Sequence, residues 1–139
     1  MKISIVFLFS LFTLSAIGQS VEPFKGANRI VFVCSDSTEI LYKRLGQHLL
    51  SKGYAIDADK EFLSIKTRDR DLSRYNMTFR VNCVIQQNKI LVTMVVHAES
   101  FRTTMDWYYR KTETFKNVHD DFMKSMEGFE RESFYYEKY

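Results

Sequence analysis

Between residues 75 and 86 apolar and polar side chains alternate almost without a break. Tyr75, Met77, Phe79, Val81, Cys83 and Ile85 fall on one side, and Asn76, Thr78, Arg80, Asn82 and Val84 on the other. A period of two over this length predicts a strand with one apolar face. Gln87-Asn88 makes a turn. Lys89 to Glu99 then repeats the pattern, with Ile90, Val92, Met94, Val96 and Ala98 opposite Leu91, Thr93, Val95 and His97. Upstream, Arg29 to Cys34 (RIVFVC) is β-branched and aromatic and predicts a first strand. Ser35-Asp36-Ser37-Thr38-Glu39 offers N-cap candidates and acidic groups for the positive end of a helix. Ile40, Leu41, Leu45 and Leu49 recur at helical spacing, and Lys43, Arg44, Gln47 and Lys52 take the other side. Gly53 is a natural stop, so the helix is expected over Thr38–Lys52.

Tyr54 to Asp57 reads as a short strand, Asp59-Lys60 as a turn and Phe62 to Thr67 as the second arm of a hairpin. Arg68-Asp69-Arg70-Asp71 reads as its solvated end. Ser100 to Lys111 has no clear period. Phe115, Val118, Phe122, Met126 and Phe129 form a helical stripe, which predicts a second helix over Thr112–Phe129. The order β-α-β-β-β-β-α makes the fold class α+β. The expected form is a curved, antiparallel, five-stranded sheet with both helices packed on one face. One domain is expected over residues 28–129, with a loose leader at 19–27 and an aromatic tail at 130–139.

The first 18 residues do not join this pattern. Lys2, an apolar run from Ile3 to Phe9, Leu11 to Leu14, and small residues at Ala16 and Gly18 read as an export signal cleaved after Gly18. The run is shorter than the about 20 apolar residues of a transmembrane helix, and no later stretch replaces it. The expectation is a periplasmic or secreted protein with no transmembrane anchor after cleavage. No cysteine follows the small residues, so a lipid anchor is not expected either. Removing 18 of the 139 residues leaves 121, enough for one core and too few for two domains.

Composition narrows the function classes. The formal charge of +3, about +2 without Lys2, is too small for a nucleic-acid footprint. Five glycines and one proline leave no room for repeats or low complexity. Cys34 and Cys83 are the two cysteines. Export permits a bridge between them, which would add about 4 kcal/mol by constraining the unfolded chain; two buried free thiols are the alternative.

The helix from Ser35 to Gly53, followed by Gly53-Tyr54-Ala55-Ile56 and Phe62-Leu63-Ser64-Ile65-Lys66-Thr67, resembles small exported Gram-negative bacterial proteins of TBP-like or helix-grip architecture, with BamC-type lipoprotein domains as an example. The resemblance spans residues 28–129 and brings no catalytic residues with it. It implies that the first strand lies at the sheet edge beside the fifth, with the fourth, third and second beyond. Cys34 and Cys83 would then stand two strand spacings apart, about 9–10 Å. A disulfide needs Cα atoms within about 7 Å, so free thiols are expected.

Candidate chemistry is sparse. His48, His97 and His119 show no metal-ligand spacing, and a site from two of them with Asp120 or Asp121 has no motif behind it. No G-x-S-x-G turn or glycine-rich phosphate loop exists. Cys34 precedes a helix N-terminus, which can activate a thiol, but no base is placed beside it by sequence. Trp107-Tyr108-Tyr109 can stack on a sugar or peptide, although aromatics over the edge of a small core are commoner. What remains is the sheet face away from the helices, where Lys66, Thr78, Arg80, Asn82, Thr93 and His97 gather around a cationic centre together with Phe62, Ser64, Val84, Leu91 and Val95. Arg80 is the expected anchor, because its planar fork can hold a carboxylate or phosphate. These patterns point to an exported, non-enzymatic module that binds a protein, peptide or envelope component, with no cofactor and no metal. The alternatives are a small-ligand carrier with a cavity between the sheet and the second helix and, behind it, a thiol-dependent or hydrolytic enzyme.

Overall fold

The computed structural model describes residues 19–72, 76–98, 101–104 and 113–139. Residues 1–18, read above as an export signal, and Tyr75, Glu99 and the Trp107-Tyr108-Tyr109 cluster lie outside the described residues. The chain is α+β, with helices α1 (Thr38–Ser51) and α2 (Glu113–Ser125). The strands are β1 (Gln19–Ser20), β2 (Arg29–Val33), β3 (Ile56–Asp59), β4 (Ser64–Thr67), β5 (Arg70–Leu72), β6 (Met77–Gln86), β7 (Lys89–Ala98), β8 (Phe101–Thr104) and β9 (Ser133–Glu137). They form one antiparallel sheet in the order β1-β9-β2-β7-β6-β4-β3, with β5 against β6 and β8 against β7.

The sheet therefore holds more than the five strands expected, and β2 is not at its edge. Ile30, Val31 and Phe32 are all fully buried. β9 pairs along the edge of β2 opposite β7, which makes β2 an inner strand. It runs against β2 from Arg29↔Glu137 to Val33↔Ser133. Within the expected tail, Tyr136 is buried and Phe134 packs on Phe32 at 6.0 Å between ring centres. Within the expected leader, Gln19 and Ser20 pair with Glu137 and Tyr136, and Ala27 is fully buried.

The alternation in β6 and β7 is realised in the ladder. Phe79, Val81, Cys83 and Ile85 share a buried core with Ile90, Val92, Met94 and Val96. Leu41, Leu45 and Leu49 of α1, Val118 and Phe122 of α2 and Met126 just past its end belong to the same core, so both helices cover this side of the sheet. Phe32 meets Phe122 at 6.5 Å. Cys34 and Cys83 lie in this core and are free.

Helix α1 ends where glycine allows it. Gly53 has φ +80, its N–H donates to the Leu50 carbonyl at 3.0 Å, and the Tyr54 N–H donates to Leu49 at 3.0 Å. This double closure needs a left-handed residue at Gly53 and turns Tyr54 back into the core. The arm expected from Phe62 begins only at Ser64, because Lys60–Leu63 form the turn and Leu63 sits at φ 48. Among the described residues, no helix is long and apolar enough to cross a membrane.

Candidate functional site

On the side of the sheet away from the helices, the register brings the six sequence-derived residues into adjacent rows. Lys66, Asn82 and Thr93 stand opposite one another across β4, β6 and β7. Arg80 lies opposite Val95, and Thr78 opposite His97. Ser64, Val84, Leu91, Val31 and Tyr135 form a further row from β4 across to β9. The spacing of two along each strand aims all of these side chains to the same side. Phe62 stands in the turn outside β4.

The centre of this face is not the free cation expected. The chain bends between β4 and β5 at Arg68-Asp69, where the buried Thr67 hydroxyl accepts the Val81 N–H at 2.9 Å and so replaces a ladder bond. The bend carries Asp69 beside Arg80, whose Nε donates to Asp69 Oδ1 at 2.8 Å. Lys66 faces Asp57 across the β3–β4 ladder, and Asp71 faces Thr78. Arg80 has a carboxylate beside it and Lys66 one opposite, while Lys89 on the same face meets the Tyr135 hydroxyl at 3.4 Å. One donor of the Arg80 fork is already committed.

Nor is it a plain solvated surface. Val31 is fully buried and Val95 is 8% exposed, while Asn82, Thr93 and His97 are half-buried. Among the described residues four polar side-chain atoms are buried without a hydrogen-bond partner: Oδ1 of Asn82 and Nε2 of His97 on this face, and Oδ2 of Asp36 just before α1 and Nε of Arg44 within it, whose side chains share an ion pair. A buried polar atom left unpaired costs about 1–3 kcal/mol.

The remaining titratable groups serve the core. His48 Nε2–H donates to the Ser125 carbonyl at 2.8 Å and its ring meets Phe129 at 5.2 Å, tying α1 to the end of α2. His119 Nδ1 faces Asp120 at 3.0 Å, and in the neutral ring Nε2 accepts the Tyr136 hydroxyl at 2.6 Å, joining α2 to β9. Among the described residues no group of three His, Cys, Asp or Glu side chains is placed to hold a metal ion. Cys34 has no exposed surface, and burial pushes its thiol up against the opposing pull of Arg44. Burial pushes the Cys83 thiol up to about 12. The position of Cys34 before α1 therefore does not produce a thiolate.

An open cavity of about 530 Å³ lies where the C-terminal ends of both helices meet β5, on the side of the sheet where the small-ligand alternative expects one. Tyr54 and Phe79 form part of its wall, with Lys52, Lys124, Asp121 and Glu127 around it. The Tyr54 hydroxyl donates to Ser125 Oγ at 3.4 Å, and the Arg70 guanidinium lies 4.4 Å from the Tyr54 ring centre. No family model, curated protein or solved structure matches the chain.

Proposed function

We propose that the chain is an exported, non-enzymatic module of helix-grip type that binds a protein, peptide or envelope component on the sheet face opposite the helices. The observation that carries this reading is the pair of unpartnered polar atoms, Asn82 Oδ1 and His97 Nε2, set around the Arg80–Val95 row. Folding alone gives no return for two such atoms on one face. A partner that donates to the Asn82 carbonyl and engages the His97 ring offsets their cost, and Leu91, Val84 and Val95 supply apolar surface between them. Because Arg80 is already paired with Asp69, recognition rests on hydrogen bonds and shape, and the two act as a fixed pair.

A photo-crosslinking side chain at position 66 or 78 tests the reading in the envelope of the exporting cell. Both positions should trap the same component on a chain whose mass begins at Gln19, and a control at Gln47 on α1 should not. Equal trapping from all three positions, or none from the sheet face, overturns it.

The 530 Å³ cavity favours a second reading, a carrier of a small polar ligand held between α2 and the sheet. Lys124→Glu, at the exposed rim of the cavity, would then weaken uptake of a small molecule and leave crosslinking at position 78 intact.

A further inference from the structure

The turn between β3 and β4 presents an aromatic ring to water. Asp59 Oδ1 accepts the N–H groups of Glu61 at 3.0 Å and Phe62 at 3.1 Å, and Leu63 follows in the left-handed region at φ 48. These constraints fix the turn. Leu63 packs against the core, while Phe62 is left 69% exposed. Beside the ring lies a groove of about 280 Å³, walled by Glu39, Tyr42 and Lys43 of α1 and by Lys60, Glu61 and Leu63 of the turn. On α1, Ile40 and Leu50 are also more than half exposed, at 57% and 56%.

A knob and a hole side by side on one surface meet the requirement of a two-fold pair, in which each copy gives what it receives. The charges agree. The walls carry two carboxylates, Glu39 and Glu61, and two ammonium groups, Lys43 and Lys60. None of the four makes an ion pair among the described residues. A partner rich in one sign would be repelled by half of this rim, whereas an identical surface turned about a two-fold axis offers each group both signs. We propose that this surface is the contact between two copies of the chain, with Phe62 of each seated in the α1–turn groove of the other. It shares no residue with the sheet face or the 530 Å³ cavity, so it stands apart from the proposed function.

The patch is small, so association is at the weak end of specific interfaces. Sedimentation of the chain as the cell processes it, from roughly 10 µM to 1 mM, should show a monomer–dimer equilibrium. Phe62→Ser should remove the dimer and leave the circular dichroism and melting temperature unchanged, since the ring is exposed. A photoreactive group at position 62 should crosslink to residues 39–43 of the second copy. A monomer throughout this range, a Phe62→Ser chain that dimerises as strongly as the parent, or crosslinks to another region overturns the proposal.

Discussion

Cys83 shows how burial at a single residue decides chemistry. Its thiol is held at about 12 against an ordinary 9.0, because a thiolate inside the core would lose its hydration. The folded state therefore keeps a proton that the unfolded chain releases. Stability is unaffected below pH 9 and falls as pH rises from about 9 toward 12, by about 4 kcal/mol over the window. Alkaline denaturation of Cys83→Val should be less steep by this amount. Iodoacetamide at pH 8 should leave both native thiols unmodified and label both in denaturant; fast labelling of a native thiol contradicts the burial argument. Of the site residues, Thr78, Asn82, Thr93, His97 and Lys66 were legible because alternation is a local property. The Asp69 clamp on Arg80 was not, since it arises from a bend between two strands whose partners lie further along the chain.

At the scale of elements, legibility followed the length of the repeating pattern. β6, β7 and α1 carry ten or more residues of clear period and lie close to their expected bounds. β5 was hidden inside the Arg68–Asp71 charge run. β9 was hidden because Phe134-Tyr135-Tyr136 puts three aromatics in a row, which conceals the alternation. Its role is visible only beside β2, about a hundred residues earlier in the chain. That role is testable. A chain ending at Glu132 loses the buried Tyr136, the Phe134 contact with Phe32 and one ladder of β2. The loss should exceed about 4 kcal/mol, a large share of the about 5–15 kcal/mol that holds a domain folded. Denaturant titration should show a non-cooperative or unfolded product; a sharp transition near that of the full chain would show that β9 is dispensable.

At the scale of the whole molecule, the two sides of the sheet divide the work. On the helix side His48 and His119 are hydrogen-bonded, and the two buried polar atoms there without a hydrogen bond, Asp36 Oδ2 and Arg44 Nε, belong to residues joined in an ion pair. The other side keeps unpaired polar atoms around partly buried valines. Alternation told which residues share a face, but not that Val31 and Val95 would be buried there, because burial depends on strands and side chains brought together from distant parts of the chain. If the unpaired atoms are held for a partner, removing them should help folding and harm binding. The most direct measurement is therefore the melting temperature and partner retention of the double variant Asn82→Leu, His97→Leu, made side by side with the parent chain. The predicted result is a melting temperature equal to or above that of the parent, together with loss of the component trapped from positions 66 and 78. Retention at the parental level, or a marked fall in melting temperature accompanying any loss, would contradict the account.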